Sequence, residues 1–169
     1  MLGSGHTHRF LWTNSETSKY GVWYYKDSPI DSIDFAEYPT FVYRITNLLT
    51  GKFYIGYKQS YFQKTKQVKG KKKKIKVESD WKTYWSSSEE LQRDVLLHGE
   101  DSFRRDILYL CRSVSMASYL EMREQIDHRV LERPDETYNG IINARVSRMH
   151  LKNVLKYISE VSGGQDNTD

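Results

Sequence analysis

Two short runs of β-branched and aromatic residues, joined by a turn sequence, constrain the fold more than any other stretch of the chain. The runs occupy residues 41–46 and 52–57, and Asn-Leu-Leu-Thr-Gly fills residues 47–51 between them. Because β-branched and aromatic residues favour strands while Asn, Thr and Gly favour turns, this pattern predicts a β-hairpin. The hairpin places Tyr43 and Tyr54 on facing strands, where cross-strand packing and a chemical role are both open.

The rest of the chain predicts helices and one more long strand. Serines followed by two glutamates are typical of a helix start, and a His-Gly pair suits the end of that helix. The predicted order is a helix at 86–98, a strand at 103–111, a helix from 115 to Pro134 and an amphipathic helix at 147–161, with one further candidate strand at 20–26. This order indicates an α+β fold with a small three-stranded antiparallel or mixed sheet flanked by helices.

Length and composition predict one soluble domain. A chain of 169 residues with 38% hydrophobic and 28% charged residues has enough apolar side chains for a modest core and too many for a disordered chain. No apolar run approaches the roughly 18 residues of a membrane span and no signal peptide opens the chain, so we expect a cytoplasmic location. The single cysteine, Cys111, lies in an apolar run and is expected to be a buried packing residue.

A local cluster of lysines carries the basic character of the chain. The formal net charge is +4 and the eight lysines of the cluster contribute +8, so the remainder carries −4. Such a segment beside the aromatic residues Trp81, Tyr84 and Trp85 is typical of a surface that binds nucleic acid, and the alternative is a solvated loop that only keeps the protein soluble. We expect a loop or broken helix here, interrupted at Gly70. The lysines are Lys64, Lys66, Lys69, Lys71, Lys72, Lys73, Lys74 and Lys76.

Two short motifs in the predicted hairpin resemble those that define the GIY-YIG nucleases. Residues 41–43 read Phe-Val-Tyr where that family has Gly-Ile-Tyr, and residues 54–56 read Tyr-Ile-Gly, which is intact. Further along the chain, Arg-Glu at 123–124 and Tyr-Asn at 138–139 resemble the family's helix glutamate and its Tyr-Asn pair. The resemblance extends over about residues 40–143, and the ordered combination is more specific than any single piece.

The resemblance implies a metal-dependent endonuclease that hydrolyses DNA by a single-metal mechanism, with RNA open as an alternative substrate. In that reading Glu124 holds one Mg²⁺ or Mn²⁺ ion, Tyr43 takes or relays the proton of the attacking water, Tyr54 positions water or phosphate, and Asn139 supports the site. The compact form resembles phage-borne members, so the expected cytoplasm is that of a host cell. One such site cuts one strand, so a double-strand break would need a homo-oligomer or two visits.

The family's arginine has no counterpart in the expected place, because no arginine occurs between Arg44 and Arg93. Lys64 replaces it by spacing, and Lys58, close to the end of the hairpin, is the second candidate. A free tyrosine has a pKa of about 10, so Tyr43 would act as a base at neutral pH only where nearby lysines lower that pKa.

We predict three segments and keep two rival functions. The segments are an N-terminal extension at 1–38, a nuclease-like domain at 39–145 with a basic insertion at 59–80, and a C-terminal helix with a polar tail at 146–169. The first rival is a catalytically degenerate protein that binds nucleic acid on the same fold. The second is a protein–protein adaptor whose lysines contact an acidic partner, which predicts no retention of nucleic acid at moderate salt.

Overall fold

The computed structural model of the chain describes residues 21–144, 147 and 154–162. The polar segment at 1–18 and Leu151 of the predicted last helix lie outside the described residues. The strands are β1 (Trp23–Tyr25), β2 (Ser28–Ile30), β3 (Thr40–Asn47), β4 (Phe53–Gln59), β5 (Tyr61–Val68), β6 (Lys71–Glu78) and β7 (Phe103–Cys111). The helices are α1 (Glu89–His98), α2 (Val114–Asp127) and α3 (Val154–Ser162), with 3₁₀ turns at Trp81–Thr83 and Glu100–Ser102.

The main sheet has five strands in the order β2-β1-β7-β3-β4, and a separate two-stranded sheet pairs β5 with β6. Strand β3 lies between β4 and β7 and is antiparallel to both, so the predicted α+β fold and its three strands are confirmed. The predicted sheet was too small, because β1 adds to β7 in parallel and β2 adds to β1. A three-residue strand whose partner lies some eighty residues away leaves little local pattern in a sequence.

The predicted β3–β4 hairpin closes as expected. The N–H of Asn47 donates to the carbonyl of Lys52 at 2.8 Å, and Gly51 has φ +76° in the turn. The register pairs Tyr43 with Gly56 and Ile45 with Tyr54. Directly paired residues share a face of the sheet, so both tyrosines lie on the same side.

The two faces of the main sheet support separate cores. The face covered by α1 and the first 3₁₀ turn, which we call the α1 face, buries Trp23, Phe41, Tyr43, Ile45, Trp81, Leu91 and Val95. The opposite face, which we call the α2 face, is covered by α2 and α3 and buries Val42, Phe53, Ile55, Cys111, Ala117, Leu120 and Val154. Cys111 is fully buried, as its sequence context predicted.

The helix caps follow the sequence in one case and depart from it in the other. Ser88 accepts from the N–H of Leu91 at the start of α1, which ends before Gly99 as predicted. Helix α2 begins after Ser113 rather than at Ser115, and it ends at Asp127, well before Pro134. No helix in the described part of the chain is both long and apolar enough to cross a membrane.

The lysine-rich segment is a β-hairpin, so the prediction of a loop or broken helix is wrong. Lys69 and Gly70 have φ values of +48° and +77°, which is the signature of a two-residue turn with both central residues left-handed. Gly70 does not interrupt the segment but makes its turn. Lysines are tolerated on both strands because nearly every residue of β5 and β6 is exposed to water.

Candidate active site

Three tyrosines from separate parts of the chain pack together on the α1 face, and we call them the tyrosine cluster. Tyr43 comes from β3, Tyr54 from β4, and Tyr84 follows the 3₁₀ turn after the lysine hairpin. The ring centre of Tyr43 lies 6.0 Å from that of Tyr54, nearly stacked, and 6.0 Å from that of Tyr84, perpendicular to it. The Tyr54 hydroxyl lies 3.1 Å from Oγ of Ser87. Tyr84 was noted in the sequence only as part of an aromatic group.

Gly56 is required by this packing. A Cβ atom at residue 56 would lie 2.7 Å from the Tyr43 hydroxyl oxygen and 2.7 Å from Cε1 of Tyr54. Both distances are well inside van der Waals contact, and Tyr43 is only 1% exposed and has no free space to move into. The glycine of the second motif therefore makes room for the tyrosine of the first.

The environment of the cluster keeps the hydroxyls protonated. Burial raises the pKa of Tyr43 well above 10, and hydrogen bonding to Tyr84 raises it further. Burial also raises the pKa of Tyr54 and that of Tyr84. The neighbours that act on the pKa of Tyr43 besides burial, which are Tyr54, Tyr84 and Glu121, raise it further, so the lowering by nearby lysines that the sequence left open is not found. In this structure Tyr43 is a hydrogen-bond donor at neutral pH.

The structure brings Lys58, and not Lys64, to the tyrosine cluster. Nζ of Lys58 lies 4.1 Å from the ring centre of Tyr84 and 2.6 Å from Oδ1 of Asp80. Its side chain is only 14% exposed, so its position is fixed by these neighbours. Lys64 lies on β5, opposite Ile75 and exposed, in the separate two-stranded sheet.

Glu121 of α2, a carboxylate that the sequence motifs did not single out, is near enough to the cluster to act on it electrostatically. Its charge contributes to the raised pKa of each of the three tyrosines. Oε1 of Glu121 accepts from Nε2 of Gln125 at 3.3 Å, and the backbone N–H of Tyr57 also donates to its carboxylate. Burial raises the pKa of Glu121 to about 7. A half-buried carboxylate whose charge is this poorly hydrated is well suited to a cation.

Glu124, the glutamate singled out from the sequence, points elsewhere. Its Oε1 accepts from the Tyr109 hydroxyl at 2.5 Å, and its Oε2 lies 3.5 Å from Nδ1 of His128. Tyr109 packs on the α2 face, on the other side of the sheet from the tyrosine cluster. Glu121 and Glu124 lie within one turn of α2, so their spacing from Asn139 in the sequence could not separate them.

Asn139 supports the edge strand that carries the second motif. Its Oδ1 accepts from the N–H of Ile55 at 2.9 Å, and its Nδ2 donates to the carbonyl of Ile55 at 2.8 Å. Nε2 of Gln125 donates to the same carbonyl at 3.0 Å. Because β4 is an edge strand, these bonds satisfy peptide groups that no further strand pairs. Asn139 thereby fixes the backbone of Ile55, which lies between Tyr54 and Gly56 in the second motif.

The donor set limits how a metal ion could bind. Among the described residues, no three His, Cys, Asp or Glu side chains come together as a metal cage. An ion at the tyrosine cluster would take the Glu121 carboxylate and otherwise water and phosphate oxygens. Mg²⁺ commonly binds in this way, because it gives up its water reluctantly and prefers oxygen ligands. The residues present therefore fit a hydrated divalent ion held by one carboxylate.

A family model matches most of the chain. The family model described as "Putative endonuclease segE, GIY-YIG domain" matches residues 23–142, which is more than half of the chain. The match begins at β1 and takes in the tyrosine cluster, Lys58, Glu121 and Asn139. No curated protein and no solved structure matches the chain.

Proposed function

The chain belongs to the GIY-YIG nuclease family, and from that premise we propose that it is an endonuclease that hydrolyses DNA with one divalent ion, Mg²⁺ or Mn²⁺. The observation that carries the proposal is that the charge of Glu121, held at the edge of β4 by the N–H of Tyr57, acts on all three tyrosines of the cluster, while Lys58 lies against the ring of Tyr84. Acid, cation and hydroxyl groups are the components that phosphodiester hydrolysis requires.

The reaction joins the oxygen of a water molecule to phosphorus, breaks the bond to the 3′ oxygen and moves one proton from the water to that departing oxygen. When bound, the metal ion supplies Lewis-acid polarisation of a phosphate oxygen. Glu121 holds the ion, in the role that the sequence assigned to Glu124. Lys58 supplies positive charge to the phosphate, although it lacks the two-pronged donor geometry of an arginine.

The tyrosines handle the proton as a relay and not as a free base. With a pKa well above 10, Tyr43 does not hold a phenolate at neutral pH. A hydroxyl can accept a proton while releasing its own, which needs no phenolate. The hydrogen-bonded hydroxyls of Tyr43, Tyr54 and Tyr84 form such a path, and Ser87 next to Tyr54 is at its more exposed end. We assign Tyr54, the less buried of the motif tyrosines, to orienting water or phosphate.

The departure from the family motif at residues 41–42 changes side chains that pack and carry no reacting group, and Phe41 packs against Tyr43 itself, with ring centres 6.1 Å apart. Phe41 is fully buried and packs against Trp23 and Trp81, with ring centres 5.4 and 6.0 Å apart. Val42 is buried in the core of the α2 face. Both side chains therefore serve packing, and this observation favours an active enzyme over the catalytically degenerate binding protein.

The test is nicking of supercoiled plasmid by the purified protein with Mg²⁺, with Mn²⁺ and with EDTA. We expect conversion to the open circle with either metal and none with EDTA, and a large loss of rate for Tyr54→Phe. A matched control is Tyr61→Phe, which removes a hydroxyl from β5, outside the cluster. Binding of plasmid without nicking under every metal would overturn the proposal in favour of the binding protein. A structured RNA in the same assay shows whether RNA is also cut.

A further inference from the structure

The hairpin formed by β5 and β6 has two chemically different faces. Residues paired across antiparallel strands share a face, and successive residues alternate. The face on which Phe62 lies carries Lys64, Lys66, Lys71, Lys73, Ile75, Val77 and Val68. The face on which Tyr61 lies carries Gln63, Thr65, Gln67, Lys72, Lys74, Lys76 and Glu78. We call the Phe62 face the site-side face and the Tyr61 face the far face.

The site-side face continues directly from the candidate active site. Phe62 lies under Lys58, whose Nζ is 5.3 Å from the centre of its ring and 4.1 Å from that of Tyr84. Tyr61 packs instead toward Phe35, with ring centres 6.4 Å apart. A phosphate held at Lys58 would therefore belong to a strand that passes Phe62 and meets the lysines beyond it.

The base of the hairpin is fastened to the main sheet. The N–H of Ser79 donates to the carbonyl of Ser60 at 2.9 Å, and its Oγ donates to the carbonyl of Gln59 at 2.7 Å. The ion pair between Lys58 and Asp80 joins the two chain segments just below. The hairpin is thus fixed to the elements that carry Lys58 and Tyr84, so its direction relative to the site is set.

The spacing of the lysines suits a duplex. Residues two apart on a strand are about 6.7 Å apart, and each strand of a DNA duplex advances about 3.4 Å per phosphate along the axis. For a hairpin lying along the duplex axis, Lys64 and Lys66 on β5 and Lys71 and Lys73 on β6 would thus have the axial spacing of every second phosphate. Single strands are bound mainly by stacking on aromatic rings, and Phe62 is the one aromatic residue on this face.

We propose that the site-side face of the hairpin binds the phosphate backbone of duplex DNA on one side of the cut, independently of base sequence. Eight residues per strand reach about 26 Å, which corresponds to roughly eight base pairs. The inference rests on the proposed function, because that function makes DNA the ligand. It divides the lysines into a set that contacts DNA and a set that does not.

Two triple variants with the same change of charge test the proposal. Lys64, Lys66 and Lys73 are replaced by Gln on the site-side face, and Lys72, Lys74 and Lys76 are replaced by Gln on the far face. Affinity for a labelled duplex is measured in EDTA over a range of salt concentrations, and circular dichroism checks that each variant is folded. Because EDTA prevents cleavage, binding is measured independently of nuclease activity, and plasmid nicking by the wild-type protein is scored separately.

We expect the site-side variant to bind duplex about a hundredfold more weakly at moderate salt, with a salt slope lower by roughly three. The far-face variant should keep most of the wild-type affinity and most of its salt slope. Duplexes of different sequence should be bound with similar affinity. Equal losses from both variants would show a general electrostatic attraction and overturn the proposal, as would no loss from either or a preference for single strands. If wild-type protein binds as expected but never nicks, the proposed function fails while this inference stands.

Discussion

Replacement of Glu121 by Gln should change how stability depends on pH. Burial raises the pKa of Glu121 in the folded protein to about 7, from an ordinary value of 4.5. The folded state therefore binds the proton more tightly than the unfolded state does. The stabilising contribution of the protonated carboxyl is full below pH 4.5 and is lost as the pH rises through 7. Glutamine has the shape of the protonated acid and does not ionise.

The magnitude follows from the two pKa values. The rise of the pKa from 4.5 to about 7 corresponds to a change of roughly 3 kcal/mol in the free energy of unfolding, before any screening by water. The side chain is partly exposed, so water screens part of this effect, and we expect about 1.5 kcal/mol. On this reasoning Glu121→Gln leaves stability nearly unchanged below pH 4.5 and makes the protein more stable by about 1.5 kcal/mol above pH 7.5.

The assay is urea denaturation of the wild-type protein and the variant in EDTA at several pH values between 4 and 8. The difference in the free energy of unfolding at each pH cancels the effect of every group that titrates in both proteins. EDTA keeps divalent ions from binding the carboxylate and masking the effect. If the free energies of unfolding of the two proteins differ by the same amount at every pH in this range, the reasoning is refuted, because Glu121 is then not desolvated. A wild-type protein that gains stability relative to the variant as the pH rises would also refute it.

Three further substitutions test the packing and charge of the site. Gly56→Ala places a methyl group against Tyr43 and should lower the free energy of unfolding by about 1–3 kcal/mol in urea denaturation, whereas unchanged stability would show that the clash is absent. Asn139→Ala strands the buried N–H of Ile55 and leaves its carbonyl bonded to Gln125 alone, so a loss of about 2 kcal/mol is expected in the same assay, and a loss below about 0.5 kcal/mol would contradict it. Lys58→Ala should slow plasmid nicking about a hundredfold, with partial recovery in Lys58→Arg, and wild-type rates in the alanine variant would exclude a role for this lysine.

Local patterns predicted the parts of the fold that depend on neighbouring residues. The β3–β4 hairpin, the capped start of α1 and the strand β7 follow from alternation, turn residues and an N-cap serine. The partnership of β1 with β7 depends on residues far apart in the chain and could not be deduced in the same way. The lysine hairpin could not be predicted from alternation of apolar and polar residues, because lysines occupy both faces of its strands. Gly70 was the one local sign of its Lys69-Gly70 turn.

In the candidate site, too, local pairing accounts for some residues and the packing of distant elements for others. Tyr43 and Tyr54 pack ring to ring on the β3–β4 hairpin, and Asn139 bonds to the peptide groups of Ile55 on that hairpin, so local pairing accounts for their positions. The glutamate differs, since Glu121 and Glu124 are separated by less than one turn and only the packing of α2 along the edge of β4 decides which reaches the cluster. Spacing alone contains no information about that rotation.

The most direct test of the central claim compares the two glutamates of α2. Plasmid nicking with Mg²⁺ is measured side by side for Glu121→Gln and Glu124→Gln. Each glutamine keeps an oxygen acceptor for its present partner, Tyr57 N–H or the Tyr109 hydroxyl, so both proteins are expected to fold. The account predicts that Glu121→Gln loses nicking by about a hundredfold or more while Glu124→Gln stays within a few-fold of wild type. Loss confined to Glu124→Gln would contradict the placement of the metal-binding carboxylate at the tyrosine cluster.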